Sequence, residues 1–400
     1  MEIDAFAALM TDEGQALLTE LKDYSPADEL ALATRLRRSY EAGLVSAALA
    51  QARLRSRAAA KFGADAERMY FTPNGVEQST RSGVAQWRAQ RFTALGVRSV
   101  ADLCSGIGGD AIALARAGIR VLAVDRDEAA CAAAEANARA LGLADLIETR
   151  CADVAEVDTV GYDAVFVDPA RRGGRGRIFD PEAYSPPLSW AVEAARRAPF
   201  AALKVAPGIP HEAVPEDAEV EWVSDGGDVK EAVLWFGTKA PQPHRATLLP
   251  AGASLTGGRL PDPPAGPVLS YLYEPDGAVI RAHLVAEVAA QLGDATLIDP
   301  TIAYLTSDQL TATPYATAYR ITDVLPFNLK RLKALVRERS IGTLVIKKRG
   351  SAIEPEELRR KIKPEGVNSA VVVLTRAAGA PVMLLGQPAD RPGAVGAVSP

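Results

Sequence analysis

The sequence predicts an α/β protein: a doubly wound parallel sheet, preceded by a helical region and followed by smaller α+β modules. Three observations predict it. Between Arg98 and Asp127, an apolar run ending at Leu103 leads to glycines at 106, 108 and 109. A helical period follows (Ala111, Ile112, Leu114, Ala115), closed by Gly118, and then a second apolar run that ends on Asp125. This is the β-α-β unit that opens a nucleotide-binding sheet. Residues 1–95 carry their apolar side chains at helical spacing instead. Beyond the Gly/Pro-rich stretch 250–268, short strand and helix patterns alternate.

The elements follow in order. Ala5, Phe6 and Leu9 recur at helical spacing, Ser25-Pro26 caps a second helix running to about Arg38, and a third runs from about Glu41 to Phe62. The third carries Arg53, Arg55, Arg57 and Lys61 late in its length, favourable to the helix dipole or a basic face for a polyanion. Met69 to Gly75 reads as a turn, and Val76 to Thr80 leads into a helix through Arg91. After the glycine unit, Glu128 to Leu141 is helical, with Asn137 facing either inward or solvent. Strands are expected at Leu146–Arg150, Asp163–Val167 and Phe200–Val205, then a hairpin from Glu221 to Phe236 turning at Gly226-Gly227. Boundaries are expected at 1–95 (helical), 96–249 (core), 250–268 (linker), 269–324 and 325–387 (two α+β modules) and 388–400 (tail).

The acids around the glycine loop bear on its ligand. Gly106-Ile107-Gly108-Gly109-Asp110-Ala111 fits a dinucleotide fingerprint read loosely. Pyrophosphate needs a helix N-terminus free for negative charge. Here Asp102 precedes the loop, Asp110 lies in it and Asp125 follows it. Such acids suit a cationic cofactor without phosphate, of which S-adenosylmethionine, with its sulfonium and ammonium, is the example. A nicotinamide cofactor is the alternative, and Asp102 read blandly caps a turn. Past the fourth strand, Asp168-Pro169-Ala170-Arg171-Arg172-Gly173-Gly174-Arg175-Gly176-Arg177 places four arginines among glycines, suited to bidentate phosphate contact. Tyr184 and Trp190 could stack on a base, and His211 is a candidate base.

Composition narrows the classes. Apolar residues make up 48% and mean hydropathy is +0.01, with no run near the ~20 residues that span a bilayer. The opening MEIDAFAALM lacks a basic n-region. Cys104, Cys131 and Cys151 show no metal spacing and read as reduced, buried thiols, and the three histidines stand apart in sequence. A cytoplasmic protein with neither membrane nor metal partner is expected. Net charge is −5, yet Asn328–Lys363 carries 12 Lys+Arg against 4 Asp+Glu, or +8, leaving −13 elsewhere. That asymmetry signals an anionic partner or a solvated helix face.

The Arg98–Asp127 unit, Cys151-Ala152-Asp153 and Asp168-Pro169 resemble class I methyltransferases, and Asp102-Leu-Cys-Ser-Gly-Ile-Gly-Gly-Asp110 is most similar to the trimethylguanosine-synthase-like RNA methyltransferases. Lys61-Phe62 with Glu77-Gln78-Ser79-Thr80 resembles a bacterial group that joins such a core to a C-terminal THUMP-like domain behind a ferredoxin-like module. Leu325-Pro326-Phe327-Asn328 and Leu344 to Gly350 resemble that THUMP-like domain. The resemblance implies a Rossmann-like class I methyltransferase core over 96–249, a ferredoxin-like module over 269–324, a THUMP-like domain over 325–387, S-adenosylmethionine as cofactor and RNA as partner.

The resemblance also implies roles. Asp102, Cys104, Ser105, Gly106, Ile107 and Gly108 would hold the methionine end, helped by Gln78 and Thr80. Asp125 and Arg126 would meet the ribose, and Asp153 the adenine amine. Asp168 and the Pro169 carbonyl would orient an acceptor nitrogen. Arg171, Arg172, Arg175, Arg177, Lys347, Lys348 and Arg349 would hold phosphates. Two departures matter. Ala170-Arg171 stands where nitrogen-methylating enzymes carry Pro-aromatic. No cysteine follows Cys151, which disfavours covalent chemistry of the pyrimidine C5 type. A base nitrogen of a structured RNA is the expected target. A protein or small-molecule substrate, or a non-catalytic RNA-binding protein, are the alternatives.

Overall fold

The computed structural model describes residues 3–170, 172–173, 176–177 and 180–389. Arg171 and Arg175 lie outside the described residues, as do the side chains of Arg172 and Arg177. The chain divides into two compact units, residues 1–220 with 231–240 and residues 221–230 with 241–400.

Unit one begins with four helices, α1 (Ile3–Leu9), α2 (Asp12–Glu20), α3 (Glu29–Leu36) and α4 (Ala42–Phe62). Their starts follow from capping: Thr11 accepts from the Gly14 amide at 3.1 Å and Glu41 from Leu44 at 3.0 Å. The helix expected after Thr80 is α6 (Ser82–Ala94), and the segment leading into it carries a short helix of its own, α5 (Pro73–Gln78). The break between them arises because Ser79 Oγ bonds back to the Gly75 carbonyl at 2.6 Å and Thr80 turns its hydroxyl into the core.

The sheet then builds from β1 (Ser99–Leu103), β2 (Arg120–Asp125), β3 (Ile147–Cys151), β4 (Ala164–Val167) and β5 (Phe200–Val205). A hairpin of β6 (Glu219–Asp225) and β7 (Asp228–Phe236) turns through Gly226 and Gly227, both at positive φ. Within unit one the order is β3-β2-β1-β4-β5-β7, parallel except that β7 runs antiparallel to β5. Strands β1 and β4 are buried along their whole length, as parallel strands covered on both faces must be. Helices α7 (Gly109–Arg116), α8 (Glu128–Ala140) and α9 (Leu188–Arg197) complete the crossovers. Gly108 starts α7 at φ +82°, a conformation other residues adopt only with strain.

Unit two holds a hairpin, β8 (His244–Leu249) with β9 (Ala253–Gly257), so the Gly/Pro-rich stretch 250–268 itself contributes a strand. Seven further strands follow: β10 (Tyr271–Pro275), β11 (Thr296–Asp299), β12 (Ile302–Ser307), β13 (Ala316–Pro326), β14 (Ile341–Lys348), β15 (Asn368–Ala377) and β16 (Ala380–Pro388). They form one sheet in the order β11-β12-β10-β13-β16-β15-β14. Of the four helices here, α10 (Gly277–Arg281), α11 (Val285–Gln291), α12 (Leu329–Glu338) and α13 (Pro355–Ile362), the last two cover one sheet face through Leu332, Val336, Leu358 and Ile362. No helix among the described residues is long and apolar enough to cross a membrane.

Candidate active site

A cleft of about 360 Å³ opens in unit one at the carboxyl ends of β1, β2 and β4, where ligands bind in sheets of this order. Three segments line it: Thr72–Thr80, the loop from Asp102 to Asp110, and Asp125–Asp127. Phe166, Asp168, Pro169 and Ala170 close the fourth side.

The Thr72–Thr80 segment is held from both ends. Gln51 on α4 pairs with the Phe71 backbone, and Lys61 Nζ donates to the carbonyls of Glu77 (2.8 Å) and Ser79 (2.7 Å). From the other side Asn137, fully buried on α8, accepts from the Tyr70 amide and donates to the Tyr70 and Ile107 carbonyls. Its inward reading was the correct one. Gly75 sits against Ile107 so closely that an added Cβ would lie 2.5 Å from its Cγ2.

Each loop acid has a different task. Asp125 accepts from the amides of Gly106 (2.8 Å) and Asp127 (3.0 Å), keeping one lone pair per oxygen for a ligand. Asp110 is buried and engaged: Thr80 donates to it at 2.7 Å and Arg88 pairs with it. Arg88 also grips Glu231 and lies over the Phe166 ring at 4.4 Å. Asp102 is completely buried, and neither of its oxygens has a hydrogen-bond partner among the described residues. Burial, reinforced by Asp110 and Asp168, pushes its carboxyl well above the usual range. Asp102 and Asp125 are therefore the loop acids with acceptor capacity left for a ligand, whereas Asp110 is engaged by Thr80 and Arg88.

Other expected site residues divide. Ser105, Gly106, Ile107, Arg126 and Gln78 line the cleft, as does Cys104, which is strained at φ +66°. Burial and the Asp125 charge push the Cys104 thiol up, out of the range of a nucleophile. Gly108 shapes the loop without lining the cleft, and Thr80 lies mostly beneath it. Asp153 is exposed, outside the lining, and caps the next turn through the Ala155 amide at 2.9 Å. Tyr184 is only 3% exposed, which removes it as a stacking surface. Trp190 and His211 do not line the cleft. Sequence reasoning missed Lys204, Arg88 and Glu231, which underlie the cleft as buried charges far apart in sequence.

Family models describe the same segments. One for RNA cap guanine-N2 methyltransferases matches residues 97–184, one for THUMP domain-like regions matches 316–388, and a domain of unknown function matches 2–58. An uncharacterized S-adenosylmethionine-dependent methyltransferase of Mycobacterium tuberculosis, found in two strains, is 35% identical over 335 residues, covering 81% of this chain and 90% of its own. The chain belongs to the S-adenosylmethionine-dependent methyltransferases. A crystal structure from Porphyromonas gingivalis W83, described as a candidate methyltransferase, shares the fold at TM-score 0.74 and 21% identity, over 92% of this chain and all of the other.

The methyltransferase cleft fits its cofactor on its own evidence. Asp102 is a buried carboxyl without donors, which an ammonium would satisfy, and Gly106 meets the cleft with backbone alone. Elsewhere in the methyltransferase, the basic triplet on and after β14 is already engaged. Lys347 pairs with Glu274, Lys348 with Glu354, and Arg349 lies over the Tyr304 ring at 5.2 Å. Lys330, Arg331 and Arg337 on α12 are exposed and have no carboxylate partner among the described residues. The cysteines are free, and Cys151 is exposed, contrary to its buried reading.

Proposed function

We propose that this methyltransferase modifies a base nitrogen in a structured RNA. The observation that carries the reading is the match of residues 97–184 to an RNA-modifying methyltransferase model across the cleft, with Asp168-Pro169 at its edge. The THUMP domain-like segment and the exposed cations of α12 support it.

When bound, the cofactor supplies an electrophilic methyl group on its sulfonium. The chain's residues do the rest. Asp102 would hold the ammonium of the methionine end, helped by Ser105, Gly106 and Gln78, which line the same cleft. Asp125, already oriented by two amides, would accept from the ribose hydroxyls, with Arg126 beside it. Asp168 and the Pro169 carbonyl accept N–H bonds from an exocyclic amine and so aim its lone pair. Catalysis of this kind is mainly positioning. Cys104 takes no covalent part. The cations of α12, with Arg171, Arg172, Arg175 and Arg177, hold phosphates.

The test is mass spectrometry of nucleosides from total RNA of cells with and without the protein. One base-methylated nucleoside should vanish in its absence and return with the wild-type gene, but not with Asp168→Ala. An unchanged RNA profile, with tritiated methyl groups entering protein or small molecules instead, would overturn the reading.

A further inference from the structure

We propose that Lys204 is a positioning residue for methyl transfer. Acting with Thr80, it pins one oxygen of Asp168 and leaves the other for the acceptor. The inference rests on the reading of Asp168 as the group that orients the acceptor.

Lys204 sits on β5 and is 4% exposed. Its ammonium donates to Asp168 Oδ2 at 2.6 Å and to Thr80 Oγ1 at 2.9 Å. A hydroxyl has one proton, and that of Thr80 goes to Asp110 Oδ2 at 2.7 Å. The Thr80 lone pairs are thereby turned to Lys204. Asp110 is fixed in turn by Arg88, which Glu231 holds from β7. The result is a continuous line of polar groups, Glu231–Arg88–Asp110–Thr80–Lys204–Asp168, running from the interior to Asp168, whose side chain is 22% exposed at the cleft.

Burial of an ammonium is costly unless it is well paired, and an apolar residue of similar length would pack β5 at no such cost. What the ammonium adds is direction. Asp168 follows β4, and its charge, like that of Asp110, bears on Asp102. Without Lys204 its carboxylate would turn toward solvent, away from those acids. With Lys204 in place, Oδ2 is committed to the interior, and Oδ1 is left as the acceptor for a substrate N–H.

Full-length Lys204→Met, Lys204→Arg, Thr80→Val and Thr80→Ser test this. The probe is S-adenosylmethionine carrying a tritiated methyl group, with RNA from cells lacking the protein as acceptor. Lys204→Met should lower kcat by ~100-fold while the cofactor Kd and the KM for RNA stay within about threefold. Lys204→Arg should recover part of the loss, Thr80→Val should lose ~10-fold, and Thr80→Ser, which keeps the hydroxyl, should recover most of the Thr80→Val loss. A Lys204→Met enzyme with wild-type kcat, or one whose loss follows an equal loss of cofactor affinity, overturns the inference. If the wild type labels protein or small molecules of the same extract and leaves RNA unlabelled, the RNA reading fails alone, and the kcat comparison is made on that acceptor. Crystal structures of Thr80→Val and Lys204→Met decide independently of activity. Asp168 should leave its wild-type rotamer, and an unchanged rotamer in both variants overturns the proposal.

Discussion

The cleft of unit one and the basic segment of unit two treat charge in opposite ways. Beneath the cleft, Glu231, Arg88, Asp110 and Lys204 are buried and joined in one hydrogen-bonded chain, the last link made through Thr80. In unit two, Lys347 and Lys348 form partly exposed pairs with acids, while Lys330, Arg331 and Arg337 face solvent with no carboxylate partner among the described residues. A charge taken out of water is expensive alone and must be matched, so it fixes geometry. A solvated charge costs little and fixes nothing, so it is free to meet a phosphate. The two regions are suited to different tasks: one to hold reacting groups in place, the other to attract a polyanion.

The largest expected effect tests that contrast directly. Arg88→Met would strand both Asp110 and Glu231, whose carboxyl burial already pushes upward. Losing one partner of a buried ionic network costs about 3–5 kcal/mol. Lys347→Met breaks a pair whose ammonium end is about a third exposed, and should cost ~1 kcal/mol or less. Urea unfolding of the two variants checks the ratio. Equal losses would show that burial does not separate the regions.

Asp102 should give the next effect, with opposite signs for stability and binding. A carboxyl raised by burial is favoured in its neutral form when folded. Its contribution to stability is therefore full below the unfolded value near 4, and is lost as pH climbs toward the raised folded value. Asp102→Asn keeps the shape without the buried charge, and should stabilise the cofactor-free protein at neutral pH by about 1–3 kcal/mol. The same variant should bind S-adenosylmethionine ~100-fold more weakly, having lost its charge-assisted partner for the ammonium. In wild type, cofactor affinity should rise with pH by up to ~tenfold per unit until Asp102 is ionised. Melting curves and calorimetry across pH measure all three, and a variant no more stable than wild type would remove the argument for an unsatisfied Asp102.

How much of this the sequence shows depends on whether the signal is local. The glycine loop and the acids Asp102 and Asp125 stand within one β-α-β unit, so spacing alone placed them around one cleft. The helix end at Phe62 and strand β5 were readable for the same reason. Lys204 was not. Its partners, Asp168 and Thr80, lie 36 and 124 residues away, and nothing near it in sequence marks a buried ammonium. Charge counting found the +8 segment, but it could not show that Glu274, 73 residues before Lys347, already occupies it. Asn137 was ambiguous on its helix because both its partners, Tyr70 and Ile107, come from other elements.

The contrast also predicts where RNA affinity resides. Lys330→Glu with Arg331→Glu should weaken RNA binding and flatten its salt dependence by about 1.4–1.8 units of log–log slope, while the cofactor Kd stays unchanged. Lys347→Met and Lys348→Met should alter the slope by less than half as much, because their charges are offset by Glu274 and Glu354. Filter binding between low and moderate salt measures the slopes, and a steeper dependence on Lys347 and Lys348 would place the interface on β14.

The smallest expected effect concerns the third of the strand-end acids. Asp102 near the end of β1, Asp125 at the end of β2 and Asp153 just past β3 make one pattern, with nothing in their spacing to rank them. In the fold, Asp125 is held by two amides at the cleft wall, whereas Asp153 is exposed and spends its carboxylate on the Ala155 amide. Releasing that cap to meet an adenine amine would exchange one exposed hydrogen bond for another, a net change well under 1 kcal/mol. Asp153→Ala should thus shift the cofactor Kd by no more than about threefold, against ~100-fold for Asp125→Ala, which loses both the ribose contact and the anchor of the glycine loop. Calorimetric titration of the two variants separates them. A large loss in Asp153→Ala would mean that the turn it caps moves when cofactor binds, and that the cleft extends past β3.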